Sequence, residues 1–184
     1  AGCVPRPCRG PSATAGTPPV SDAQARVCVQ VGVPPQRAFE LFTSEIDRWW
    51  RRGMQFRHAG RRRSIILIEP GVGGRLFESI EGADGSNHVI ELGAVEGWEP
   101  PSRLQLRWRN ATFAAGEWTT VEVLFASAGD GTRVTVMHRE WDAIRADHPA
   151  RHGLDSGAFA RMLGLWWGDQ LTSLRMLAAR PADG

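Results

Sequence analysis

The residues in this sequence best suited to proton transfer are a histidine and a glutamate that strand periodicity places beside apolar residues. Side chains at every second position of a strand point the same way, so His138 shares a face with Val134 and Val136. The valines mark that face as inward, which directs the imidazole toward the interior. There it is either a core histidine hydrogen-bonded to a neighbour or the polar anchor of a ligand pocket.

Glu78 presents the same choice in the segment RLFESI. If the face shared by Leu76 and Ile80 is the inner one, the carboxylate is desolvated and needs a partner, whereas if Phe77 faces inward the carboxylate meets water. Glu78 and His138 are the candidate catalytic residues, because a carboxylate and an imidazole together can perform general acid/base catalysis. The sequence does not show that they meet.

A run of arginines, RRGMQFRHAGRRR from Arg51 to Arg63, concentrates positive charge around an aromatic residue and a histidine. Such a run is typical of a solvated loop. The functional alternative is a site at the mouth of a pocket for an anionic ligand group, because the guanidinium fork matches the geometry of carboxylate and phosphate.

The composition excludes several classes of partner. The 184-residue chain has a net charge of +2, and all 22 of its basic residues are arginine. This balance, with the positive run confined to one loop, predicts neither nucleic acid nor a membrane as a partner.

No phosphate-binding loop, nucleophile elbow, dinucleotide fingerprint or zinc-ligand spacing occurs, so no cofactor and no metal are predicted. Tryptophan is abundant, with 8 residues, whereas tyrosine is absent, so the polar aromatic groups are indole donors.

The three cysteines cannot all pair, which favours a reducing cytoplasm as the location. Cys28 lies in an apolar strand pattern and is predicted to be a small buried residue. No run approaches the ~18 apolar residues that a membrane-spanning helix needs, so no membrane insertion is predicted.

The pattern along the chain predicts one folded domain after a tail. Residues 1–24 are rich in Pro, Gly, Ser, Ala and Thr and are predicted to be disordered, and residues 25–180 form the domain. Alternating valines from Val27 to Val33 predict a first strand, and PPQRAFELFTSEIDRWW predicts two small helices. From Ser64 onward, short segments separated by turns predict an antiparallel, strongly curved sheet.

The period changes to that of a helix between Leu154 and Ala179. Apolar residues recur there every three or four positions, at Phe159, Leu163, Trp167, Leu171, Leu174 and Ala178, and Met162 and Trp166 widen the stripe. One long amphipathic helix therefore has to cover one curved sheet, which gives an α+β fold. Gly164 and Gly168 lower the helix propensity, so either another backbone approaches closely there or room is left open.

Two tryptophans flank the double-proline turn in EGWEPPSRLQLRW. Neither proline can donate to a sheet ladder, so one strand ends there and the chain restarts antiparallel beside it. Leu104, Leu106 and Trp108 alternate and should face the long helix. Trp98 should either join that interior or mark the outer end of the hairpin, because the residues around it do not favour one face strongly.

Five motifs occur in the order VPPQRAFELFTS followed by WW, IEPGVGGRLFE, GAVEGWEPPSRLQLRW, GDGTRVTVMHREW and GLWWGDQLTSL. Together they resemble the START-like SRPBCC superfamily, and within it the bacterial branch related to the activator of the heat-shock-protein-90 ATPase. The similarity covers nearly everything from Arg26 to the last helix. It implies a helix-grip fold, in which a curved antiparallel sheet wraps a long C-terminal helix, encloses a largely apolar cavity and carries two short helices after its first strand.

The resemblance also implies three functions in order of expectation. The first is binding of a small apolar or amphipathic molecule in a tryptophan-lined cavity, and the second is a cyclase or hydrolase that uses His138 and Glu78 as acid/base groups. The third is an interaction module that modulates a chaperone ATPase, with the chaperone as partner. The ligand-binding positions implied are Trp50, Glu78, Trp98, Trp108, His138, Trp141 and Trp167.

Overall fold

The structure, a computed structural model, describes residues 24–180. The strands in this part of the chain are β1 (Ala25–Val31), β2 (Ser64–Ile68), β3 (Arg75–Glu81), β4 (Asn87–Glu99), β5 (Arg103–Trp108), β6 (Thr119–Ala128) and β7 (Gly131–Arg139). The helices are α1 (Pro35–Thr43), α2 (Ile46–Trp49) and α3 (Ser156–Ala178). Two 3₁₀ turns, Trp141–Ala143 and Pro149–Arg151, connect β7 to α3. The predicted tail lies outside the described residues, apart from Gln24.

The seven strands form one sheet in the order β1-β7-β6-β5-β4-β3-β2, and all neighbouring strands are antiparallel. Strands β2 to β7 pair in sequence order, joined by turns and by a longer loop over residues 109–118, and β1 pairs with β7. The sheet curls around α3 into the helix-grip arrangement, which confirms the predicted α+β fold. The core lies between the concave face of the sheet and α3.

Alternation along β4 is interrupted twice by register shifts, one against β3 and one between Val95 and Gly97 against β5. Each shift inserts an extra residue on one strand, as a β-bulge does. Val95 and Trp98 therefore lie opposite Leu106 and Leu104, the inward-facing residues of β5, although they are an odd number of positions apart. Bulges thus explain why simple parity along β4 did not decide the orientation of Trp98.

Helix α3 begins with an N-cap, because the side chain of Asp155 accepts a hydrogen bond from the Ala158 amide at 2.8 Å. Its buried face presents the residues predicted for it, Phe159, Leu163, Trp167, Leu171, Leu174 and Ala178. A methyl group added at Gly164 or Gly168 would meet no atom within 4 Å outside the helix's own backbone. Room is therefore left open at both glycines, and the alternative of a close backbone approach is wrong.

Cys28 on β1 is exposed, which corrects the prediction that it is buried. Val27 and Val29 pack against the core, so the residue between them points to the opposite side of the sheet. Alternation along the strand decides the orientation here, and the apolar character of the segment does not.

Candidate functional site

A pocket of about 490 Å³ opens between the concave face of the sheet and α3. The loop after α2 forms one wall, with Trp50, Met54, Gln55, Phe56, Arg57 and His58. The sheet and α3 form the others, with Leu92, Trp108, Met162 and Trp166, and Asn110 and His152 complete the lining. A larger depression of about 640 Å³ lies elsewhere, where Arg63, Ile65 and Asn87 line it beside the edge of the sheet formed by β2 and β3. Only the first lies between sheet and helix, where this fold encloses a cavity.

Three indoles form the aromatic wall of this pocket. The rings of Trp50 and Trp108 are stacked, with centroids 5.9 Å apart and planes 16° apart. Trp166 meets both rings edge-on, at 5.6 Å from Trp50 and 6.2 Å from Trp108. Trp167 packs behind them, 6.1 Å from each of the stacked rings, and is buried. The aromatic wall is thus a cluster of rings packed against one another.

Indole N–H groups fasten the loop that covers the pocket. The Trp50 Nε1–H donates to the Phe56 carbonyl at 2.9 Å, and the Trp166 Nε1–H donates to the Gln55 carbonyl at 3.0 Å. The first bond closes the loop on itself, whereas the second ties it to α3. Both tryptophans therefore present ring atoms to the pocket while their polar ends are satisfied.

Glu78 faces inward and is fully buried, so the face of Leu76 and Ile80 is the inner one. Its carboxylate does not line the pocket and instead accepts hydrogen bonds from two backbone amides of the loop. Its Oε2 lies 2.7 Å from the His58 nitrogen, and its Oε1 lies 3.2 Å from the Ala59 nitrogen. The glutamate thereby holds the backbone that carries His58 into the pocket wall.

The arginine run is not simply a solvated loop, because Arg57 is only 4% exposed. Its Nη1 donates to Asp47 Oδ1 at 2.7 Å and its Nη2 donates to the Trp50 carbonyl at 2.9 Å. The same Asp47 oxygen accepts from the backbone nitrogen of Ile66 on edge strand β2 at 2.9 Å. This ion pair therefore joins the loop to the sheet edge and satisfies a donor that an edge strand would otherwise leave unpaired.

His138 is 1% exposed and lies in a closed hydrogen-bond chain. The Trp167 Nε1 lies 3.2 Å from its Nδ1, and the Thr119 Oγ1 lies 2.8 Å from its Nε2. An indole N–H can only donate, so Nδ1 accepts, and the ring proton is on Nε2 and is donated to Thr119. Burial lowers the pKa of His138 to about 3, so the imidazole is neutral near neutral pH. Its basic lone pair is already engaged by Trp167.

Glu78 and His138 belong to separate hydrogen-bond networks. Strands β4, β5 and β6 lie between β3 and β7 in the sheet order. The partners of Glu78 are loop amides, whereas those of His138 are Trp167 and Thr119. Neither side chain is among those that line the pocket.

The remaining predicted site residues are distributed around the core. Trp50 and Trp108 line the pocket. Trp98 is partly buried and packs edge-on against Phe39 of α1, with centroids 5.1 Å apart. Trp141 is buried against Phe159 at 4.6 Å, and its enclosed N–H has no acceptor within residues 24–180. Two of the seven predicted positions therefore form the pocket wall, and Trp167 supports them from behind.

The match to a known family covers most of the folded chain. The family described as Activator of Hsp90 ATPase homolog 1-like protein matches residues 32–174. The chain belongs to this family. A comparison with curated proteins finds no match.

Solved structures share the fold of this Hsp90-activator-like chain. A protein from Nitrosomonas europaea is 15% identical with a TM-score of 0.58, over 88% of this chain and 97% of that one. An HSP90 activator from Plasmodium falciparum is 20% identical with a TM-score of 0.57, over 86% and 98%. The Aha1 dimer from Colwellia psychrerythraea is 13% identical with a TM-score of 0.54, over 83% and 92%. At these identities the likeness shows the fold alone.

Several pocket residues of this family member were not identified from the sequence. The sequence pattern places Met162 and Trp166 in the apolar stripe of the helix, and the only signal that separates them from it is their spacing of four residues at its edge. Asn110 and His152 lie outside strands and helices and carry no local pattern.

Within residues 24–180, no helix is long and apolar enough to cross a membrane, and no three His, Cys, Asp or Glu side chains are grouped to hold a metal ion.

Proposed function

We propose that this protein binds a small apolar or amphipathic molecule in the pocket beneath α3. The observation that carries the proposal is the wall of three packed indoles, Trp50, Trp108 and Trp166, on a pocket of about 490 Å³. Ligand pockets in proteins are concave, mostly apolar and roughly 300 to 1,000 Å³ in volume. Leu92 and Met162 extend the apolar surface on the sheet and helix sides.

The placement of the acid/base candidates supports binding over catalysis by that pair. A general base must come within hydrogen-bond reach of the proton it removes. The Nδ1 lone pair of His138 accepts from Trp167, and both oxygens of Glu78 accept from loop amides. Using either group on a substrate would require these buried hydrogen bonds to break, which costs about 1 to 3 kcal/mol for each group left unpaired.

A pair of substitutions on α3 tests the proposal. Met162→Trp adds an indole to the pocket wall, whereas Leu165→Trp adds one at a position that is 75% exposed on the same helix. With 1-decanol as the probe, calorimetry should show at least a tenfold loss of affinity for Met162→Trp and unchanged affinity for Leu165→Trp. The proposal fails if the wild-type protein binds neither 1-decanol nor an amphipathic compound of the same chain length, or if both variants bind equally well. Native mass spectrometry of the purified protein would identify a ligand that copurifies.

A chaperone-directed role is the second candidate, and the observation that favours it is the family match over residues 32–174 together with the HSP90 activator of similar fold. The test is the ATPase rate of a purified Hsp90-type chaperone with and without this protein. An unchanged rate and no complex in a pull-down would reject this role. The cytoplasmic location stays a prediction from the cysteine content.

A further inference from the structure

We propose that the pocket selects amphipathic ligands whose polar end is a carboxylate. This inference rests on the proposed function, because it names the chemical class of the molecule held by the same pocket. Its basis is the charge of the residues that line the pocket and the hydrogen-bond donors among them that have no acceptor within residues 24–180.

Among residues 24–180, no acidic side chain lines the pocket. The twelve lining residues in this part of the chain include Arg57, His58 and His152, but neither Asp nor Glu. The nearby carboxylate of Glu78 lies behind the loop, and each of its oxygens accepts from a backbone amide. A ligand carboxylate would therefore not meet a like charge on the pocket surface, whereas a ligand ammonium group would find no counterion there.

The unused hydrogen-bonding groups of the pocket include two that can only donate. The Oδ1 of Asn110 lies 3.2 Å from the Thr112 nitrogen and 3.1 Å from the Thr112 Oγ1. A backbone N–H can only donate, so the atom facing it is the amide oxygen, and the Nδ2 donors of Asn110 remain. The indole N–H of Trp108 has no acceptor among residues 24–180. An ionised carboxylate accepts several such bonds at once.

The imidazoles of His58 and His152 add to this donor set. Both residues line the pocket, and neither ring is hydrogen-bonded within the part of the chain that the structure describes. A neutral imidazole carries one N–H donor, and a protonated one carries two. Glu78 accepts a hydrogen bond from the backbone nitrogen of His58 and so holds in place the backbone that carries this ring.

An aromatic pocket could instead hold a cation against its ring faces. In this pocket part of that ring surface is already used. Trp50 and Trp108 stack on each other, and the guanidinium of Arg51 lies 5.0 Å from the centre of the Phe56 ring. The indoles therefore provide an apolar surface for the body of the ligand, and the donors provide the site for its acidic end.

Three compounds with the same ten-carbon chain test the charge preference: decanoate, 1-decanol and decylammonium. Near neutral pH the wild-type protein should bind decanoate about tenfold more tightly than 1-decanol, with decylammonium weakest. If 1-decanol or decylammonium binds as well as decanoate, the carboxylate inference is wrong while the proposed function stands. If none of the three binds, the proposed function itself fails.

One isosteric substitution locates the acidic end. Asn110→Asp keeps the oxygen that accepts from Thr112 and replaces only the free amide donor with a second, charged oxygen. It should weaken decanoate binding at least tenfold and change 1-decanol binding by less than about threefold. Asn87→Asp introduces the same charge beside the outer depression and should change neither. Equal decanoate affinities for the two variants would overturn the assignment of Asn110 to the carboxylate.

Discussion

Two neighbouring clusters on the concave side of the sheet, an inner one around His138 and an outer one around the pocket, differ in where their indole N–H groups go. In the inner cluster, Trp167 donates to His138, which donates to Thr119, and all three residues are buried. In the outer cluster, Trp50 and Trp166 donate to the covering loop, while Trp108 lines the pocket with an N–H that has no acceptor in the described chain. The inner donor is thus used inside the protein, whereas the outer cluster leaves one donor on the pocket surface.

The largest expected effect comes from removing one indole N–H from each cluster. Trp167→Phe leaves Nδ1 of His138 buried without a donor and opens a small cavity, so the free energy of unfolding should fall by about 3 kcal/mol. Trp108→Phe removes a similar volume but no protein hydrogen bond, so the loss should be about 1 kcal/mol. Urea unfolding of the two variants measures this difference.

The ligand response should have the opposite order. Trp108→Phe should weaken decanoate binding more than Trp167→Phe does, because only the former removes a donor from the pocket lining. Equal losses of stability, together with equal losses of affinity, would show that the two clusters are not distinct.

The second effect is an acid dependence that belongs to the inner cluster. The pKa of His138 is lowered to about 3 from an ordinary value of 6.5, so between these values the unfolded chain binds a proton that the folded chain does not. Stability is therefore lost as pH falls below about 6.5, by about 2 kcal/mol between pH 7 and pH 5. His138→Gln keeps a hydrogen-bonding side chain that does not titrate.

Urea unfolding at both pH values, on the wild type and on His138→Gln, measures this contribution. Groups other than His138 titrate in both proteins and cancel in the comparison. The variant should lose about 2 kcal/mol less than the wild type on acidification. Parallel losses would mean that the imidazole is not buried in its neutral form.

The fold could be predicted from the sequence because strand and helix periods are local properties. Alternating residues in β5 and β7 and the helical stripe of α3 predicted which faces are buried. The prediction for Cys28 is wrong because alternation along β1, and not the apolar character of the segment, sets which side chains face the core. The sequence does not fix the orientation of Trp98 because the bulges in β4 depend on its pairing with β3 and β5.

The site could be predicted only in part, since it depends on contacts between distant segments. Trp50 and Trp108 were identified, and His138 was correctly directed inward. Glu78 accepts hydrogen bonds from the backbone of a loop, and His138 accepts one from an indole 29 residues away. No local sequence pattern indicates either hydrogen bond. Asn110 and His152 come together only because β5 and the segment before α3 converge on the same pocket.

The smallest expected effect separates stability from binding at Gly168 of α3. Gly168→Ala should raise the free energy of unfolding by about 0.5 to 1 kcal/mol, because alanine favours the helix and its methyl group would meet no atom within 4 Å outside that helix's own backbone. Gly168 does not line the pocket, so the affinity for decanoate should stay the same. Urea unfolding and calorimetry on one preparation check both. A loss of stability would contradict the open space around Gly168. A change in decanoate affinity would mean that the binding surface extends beyond the outer cluster.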